Sequence, residues 1–240
     1  MKRLWYHAAL IFAFSIAVVG AGYFLADLSE SMALRVQSGA VENKPVVVLD
    51  PGHGGMDGGA TAGDIRESGI NLSIAEKAKA MLTLMGYRVV MTRETDTLLA
   101  EEGDKTVRQQ KRSDLENRLK IMAETPGAVG ISIHQNHFSQ SYVRGAQVFY
   151  GRAEGSLRLA ELIQQNIAAY LQTDNQRKTK EADSALFILD NNRTNPAVMV
   201  ECGFLSNPQD AENLQREQYQ GMLAFLITAA LMEYENSSVG

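Results

Sequence analysis

VVVLDPGHGG, residues 46–55, is the stretch on which the reading of the fold turns. Val46 to Leu49 run without a polar break and are mostly β-branched, as in a strand buried on both faces of a parallel sheet. Asp50 and a Pro-Gly turn end the run, and His53 follows among glycines. An incidental turn histidine, a phosphate-cradling loop and a metal ligand all fit these ten residues. The rest of the chain has to separate them.

Downstream, short apolar runs alternate with amphipathic stretches. Strands are expected at 46–49, 87–92 (YRVVMT), 128–133 (AVGISI), 146–150 (AQVFY) and 197–200 (AVMV). One helix is expected with Ile74, Ala78, Met81, Leu82 and Met85 on its apolar face, closed by Gly86. A second carries Leu115, Leu119 and Met122 ahead of Pro126-Gly127. A third presents Leu159, Leu162, Ile163, Ile167 and Tyr170, and a last one Met222, Phe225, Leu226 and Ala229. Strands alternating with helices of this length imply an α/β fold, with a mixed, mostly parallel central sheet and helices on both faces. In such sheets ligands bind beyond the carboxyl ends of the strands.

At that edge the sequence places His53 after the first strand, His134 after AVGISI and Glu201 after AVMV, while Glu67 immediately precedes the first amphipathic helix. Two imidazoles and a carboxylate are a ligand set for a catalytic divalent metal, with a position left for water or substrate. A further acid that is not a ligand can serve as general base. Each residue also has a plainer reading: a turn histidine, an acid favoured by the helix dipole, half of an ordinary ion pair. Convergence at one sheet edge favours the metal. The phosphate loop fares worse, because Asp57 stands where the third glycine of GxGxxG belongs and no GK[ST] follows.

Cys202 is the single cysteine of the chain, which excludes an intramolecular disulfide and a multi-cysteine metal site. As a nucleophile it is disfavoured, since neighbouring strand residues face opposite ways and Glu201 claims the site. His137 reads as a solvated loop residue rather than a ligand, Asn136 as a residue able to orient a ligand or substrate, and Arg93 and Arg112 as structural pairing residues ahead of the alternative that they meet peptide carboxylates.

The net charge of −5 over 240 residues argues against a nucleic-acid partner. The N-terminus is more telling. Lys2 and Arg3 precede Leu4 to Ala26, a run without Asp, Glu, Lys or Arg. As a helix it would reach roughly 34 Å, enough to cross a bilayer. Residues 1–26 therefore read as a transmembrane anchor or uncleaved signal, with small residues in AVVGAG (17–22) as the argument for cleavage. Residues 27–44 read as a polar tether and 45–236 as the catalytic domain. The basic residues lie on the short side, which puts the body on the extracytoplasmic face of the membrane.

LDPGHGGMDGGA with Glu67 behind it, TRETD (92–96), SIHQN (132–136) and ECGFLSN (201–207) together resemble the zinc-dependent N-acetylmuramoyl-L-alanine amidases of the Amidase_3 family. The resemblance spans roughly Val46 to Tyr234. It implies Zn2+ held by His53, Glu67 and His134, Glu201 as the catalytic acid, and peptidoglycan as substrate. An anchored N-terminus without wall-binding repeats resembles the sporulation and germination-specific CwlD-type subgroup, which acts in making the muramic-δ-lactam of the spore cortex. That would place the chain in the forespore intermembrane space. The interval from His134 to Glu201 is already filled by a strand, a helix and a connector, leaving no room for the autoinhibitory helix of some members. His137 departs from the small residue common after SIHxN. An accessory protein for zinc loading or activity is left open. So is a vegetative role in cell separation. Fe(II) in the same donor set is disfavoured, since it has no need of Glu201 and an exported chain lacks cytosolic co-substrates. A non-catalytic wall-binding module tethered to the membrane is disfavoured because all four expected side chains are present.

Overall fold

A computed structural model describes residues 44–237. The anchor and tether readings at the N-terminus lie outside the described residues. No helix among the described residues is long and apolar enough to cross a membrane.

The chain runs β1 (Val46–Pro51), β2 (Thr61–Ala62), β3 (Ile65–Arg66), α1 (Glu67–Leu84), β4 (Arg88–Met91), α2 (Val107–Glu124), β5 (Ala128–Asn136), β6 (Gln147–Tyr150), α3 (Ser156–Tyr170), β7 (Lys180–Glu181), α4 (Phe187–Asn191), β8 (Ala197–Phe204), α5 (Pro208–Leu214) and α6 (Glu217–Ser237). Six strands form one sheet in the order β4-β1-β5-β8-β6-β7. β4, β1, β5 and β8 are mutually parallel, and β6 lies antiparallel to β8. The sheet is mixed and mostly parallel, as VVVL and AVMV suggested.

Alternation along β1 divides the core. Val47 and Leu49 join the larger apolar cluster with Val129, Ile131, Val198 and Val200, on the side covered by α1, α3 and α6. Val48 joins Met122, Ile188 and Met199 on the opposite side, under α2 and α4. A side chain that follows Val48 at a spacing of two therefore emerges on the α2 face. Asp50 does so, and on β5 so do Ser132 and His134.

Local signals set the helix ends. At the C-terminus of α1, Gly86 takes φ 82°. Its N–H donates to the Thr83 carbonyl and that of Tyr87 to the Leu82 carbonyl, the paired bonds of a Schellman motif. Thr106 and Gln109 close a capping box at the start of α2. Asn207 caps α5, with Pro208 at its first position.

Two helices bury faces that match the expected ones only in part, with Met122 and Leu226 buried and Leu119 packed against the core. In α2 the buried residues are Ser113, Asp114, Arg118 and Met122, whereas Leu115 is exposed. The stripe is polar because it packs beneath the His53 loop, where Arg118 satisfies carbonyls. In α6 the buried face is Leu223, Leu226, Ile227, Ala230 and Leu231, and Met222 and Phe225 look outward. Contact with both α1 and α3 draws a wider and rotated stripe inward.

Candidate metal centre and active site

His134 and Glu201 lie within strands, not beyond them as expected. β5 continues to Asn136 and β8 to Phe204, and Cα pairing sets His134 opposite Glu201. Parallel partners share a face, so both side chains emerge on the α2 side near the carboxyl edge. A register shift between His134 and Asn136 then ends the regular pairing.

The other residues arrive from the first crossover. His53 sits at φ 61°, the one left-handed non-glycine among the described residues, a conformation held only where the surroundings impose it. Arg93 and Arg118 impose it. The Arg93 guanidinium donates to the carbonyls of Pro51, Gly52, Thr95 and Ser68. Arg118 donates to those of Pro51 and His53 and pairs with the Asp50 and Asp114 carboxylates at 2.7 and 2.8 Å. Asp50 also accepts from the Thr92 and Ser132 hydroxyls. Burial works against its ionisation, but the Arg118 charge prevails and keeps its pKa below the usual value. Beyond the loop the β2-β3 hairpin delivers Glu67 as the first residue of α1.

Three side chains meet there. Glu67 Oε1 lies 2.9 Å from His134 Nδ1 and 3.3 Å from His53 Nε2. The two rings stand edge to face with centroids 5.0 Å apart. One ligand atom from each of His53, Glu67 and His134 falls within 4.8 Å of the others, a group able to hold a metal ion. Glu67 is oriented by the Ala60 N–H on Oε2, and by Asn71 and the Gln135 N–H on Oε1. Burial opposes the ionisation of Glu67, yet the hydrogen bonds with the two histidines hold its carboxyl well below the usual range. For His53, burial opposes protonation, but hydrogen bonds to Asp57 and Glu67 outweigh it and raise its pKa to about 9.

Two glycines are required by this closeness. A Cβ on Gly52 would stand 2.1 Å from the His134 ring, and one on Gly59 would stand 2.4 Å from Glu67 Oε2.

Glu201 completes the group differently. It is 9% exposed, and its Oε2 is buried with no hydrogen-bond partner. Burial raises its pKa to about 7, against the opposing pull of the neighbouring histidines. A carboxyl that titrates near neutrality is suited to take and return a proton. The adjoining Cys202 points into the apolar core, wholly buried, and burial pushes its thiol far above the usual range. Nucleophilic chemistry is closed to it.

The cavity here is about 130 Å3, lined among others by His53, Asp57, Lys111, Leu115, His134 and Ile188. A larger cleft of about 360 Å3 involves Arg144, Gln172, Asp210 and Tyr219 but none of His53, Glu67 and His134. Of the remaining candidates, His137 is exposed on its loop and Asn136 Oδ1 accepts the His137 N–H. Arg93 is a structural strut, as expected, and Arg112 makes a surface ion pair with Glu116. Sequence reasoning passed over Asp57, which touches His53, and Arg118, which braces the loop. The HxxxD spacing in HGGMD was a usable signal for the first, whereas a lone arginine in a charged helix gave none for the second.

Comparison with known proteins identifies the family. Residues 47–233 match the model of the Amidase_3 family, N-acetylmuramoyl-L-alanine amidase. The chain is 37% identical over 190 residues to the germination-specific N-acetylmuramoyl-L-alanine amidase of Bacillus subtilis, covering 79% of each protein. The structure is similar to that of the CwlD amidase from Clostridioides difficile, solved in complex with the GerS lipoprotein. There the TM-score is 0.77 at 35% identity, over 81% of this chain and 100% of that one. It also resembles an N-acetylmuramoyl-L-alanine amidase from Clostridium difficile 630, with a TM-score of 0.71 at 28% identity over 82% and 99% of the two chains. The match covers most of the chain, and the chain belongs to the Amidase_3 family of N-acetylmuramoyl-L-alanine amidases.

Proposed function

We propose that this chain is a zinc amidase that cuts the bond between the lactyl group of N-acetylmuramic acid and the first L-alanine of the peptidoglycan stem. The observation that carries the reading is the convergence of His53, Glu67 and His134 within 4.8 Å, with the unpaired carboxyl of Glu201 paired in register beside His134. Two imidazoles and one carboxylate suit zinc and leave a coordination position for water or substrate. Bound by those three residues, zinc would supply Lewis-acid polarisation of the scissile carbonyl and make water acidic enough to ionise near neutral pH.

The protein's own groups do the rest. His53, Glu67 and His134 are ligands pre-set by backbone and side-chain hydrogen bonds. Glu201 accepts the proton of the attacking water and returns it to the nitrogen of the departing L-alanine. Its lack of a hydrogen-bond partner leaves the carboxyl free for both transfers. The buried surroundings keep its pKa close to the working pH.

Kinship with a germination-specific amidase supports a place in spore-cortex maturation, where removal of the stem peptide precedes closure of the muramic-δ-lactam. An accessory lipoprotein, such as the one the C. difficile relative binds, and anchoring at the extracytoplasmic face of the membrane belong to the same proposal. Digestion of purified peptidoglycan, with and without chelator, tests the reaction. Mass spectrometry should find peptides that begin with L-alanine and intact glycan strands. Cleavage within the glycan or between peptide residues would refute it. Cortex from cells lacking the protein should contain no muramic-δ-lactam, and unchanged lactam would remove the sporulation role.

A further inference from the structure

The two histidines of the centre are held by different means. The ring of His134 rests against the Gly52 backbone, where even a methyl group would collide. His53 instead turns Nδ1 to Asp57, 2.9 Å from Oδ2, while its Nε2 faces Glu67 Oε1 at 3.3 Å. The other Asp57 oxygen, Oδ1, accepts from Lys111 Nζ at 2.9 Å, across 54 positions of sequence. A carboxylate only accepts hydrogen bonds, so when a metal takes the place of the proton on Nε2, the one proton left on the ring belongs on Nδ1, facing Asp57.

We propose that Asp57, seated by Lys111, is the positioning residue that fixes His53 in the tautomer presenting Nε2 to the metal. The inference rests on the reading of His53, Glu67 and His134 as zinc ligands. Carboxylate partners of this kind orient a ligating imidazole and increase its basicity, and their loss costs metal affinity without removing a ligand.

The backbone around Asp57 is secured independently of its side chain. The Gly54 N–H donates to the Asp57 carbonyl at 2.8 Å, and the Asp57 N–H donates back to the Gly54 carbonyl at 3.0 Å. Arg66 ties down the Gly55 carbonyl. Substituting the carboxylate therefore leaves the loop in place and changes what His53 Nδ1 meets.

Zinc affinity measured by competition with a chromophoric chelator tests this. It is read on the folded chain and on the Asp57→Ala, Asp57→Asn, His53→Ala and Asp57→Ala/His53→Ala variants, with thermal unfolding of each metal-free protein as the check of folding. Asp57→Ala should bind zinc roughly 10- to 100-fold more weakly. Asp57→Asn, which keeps an oxygen acceptor but loses the charge, should fall between. In the His53→Ala background the same Asp57→Ala change should have no further effect, because Asp57 acts through His53. Unchanged affinity in Asp57→Ala, or an equal loss with His53 already removed, would overturn the inference. Failure of the unsubstituted chain to bind zinc would instead overturn the reading of the site.

Discussion

Glu201→Gln should remove activity and stabilise the metal-free protein, by an amount that depends on pH. The side chain is almost fully buried, and its Oε2 has no hydrogen-bond partner. Burial shifts its pKa from 4.5 to about 7. A carboxyl whose folded pKa exceeds its unfolded value is harder to ionise in the fold. Its cost is absent below pH 4.5, grows between the two values and is complete above pH 7. At about 1.4 kcal/mol per pKa unit, the ionised group destabilises the fold by about 3 kcal/mol at pH 8 and by less than about 1 kcal/mol at pH 5. Glutamine removes the charge but leaves a neutral polar group without a partner, which offsets about 1 kcal/mol of the gain. The expected net stabilisation is about 2 kcal/mol at pH 8 and close to zero at pH 5. Urea unfolding in chelator at the two pH values reads it directly. A midpoint unchanged at pH 8, or a gain equal at both, would refute the burial argument. In the zinc-loaded protein the same variant should lose about 100-fold or more in turnover while still binding zinc.

Other perturbations probe the supports of the site. Gly52→Ala places a methyl group 2.1 Å from His134, so zinc binding measured by chelator competition should fall sharply while the helical circular dichroism persists. Unaltered affinity would mean that His134 is not held by that contact. Arg118→Met leaves Asp50 and Asp114 buried without their cation and should cost about 3–5 kcal/mol in urea unfolding. A loss below about 1 kcal/mol would show the pairing to be dispensable.

What was legible in the sequence follows from what periodicity encodes. β1 and β8 were readable because strands buried on both faces are apolar at every position. The meeting of His53, His134 and Glu201 was readable because a parallel sheet collects its strand ends at one edge, and each of the three follows an apolar run. The hairpin that brings Glu67 to that edge is two short β-bridged segments, too brief for any pattern to announce. Helix α2 was legible only in part: Met122 is buried and Leu119 packs against the core, but apolar spacing is blind to the buried Asp114 and Arg118, and Leu115 is exposed. The antiparallel setting of β6 was also hidden, since strand direction depends on how the connection from β5 runs and not on the composition of AQVFY. The pairing of Asp57 with Lys111 joins residues 54 positions apart, which a single sequence has no means to show.

Anomalous diffraction at the zinc absorption edge, from crystals of the zinc-loaded chain, tests the central claim most directly. One peak should lie about 2.0–2.2 Å from each of His53, Glu67 and His134, with Glu201 nearby but not coordinating. A peak lacking any of these three ligands, or one coordinated by Glu201 in place of Glu67, would contradict the account.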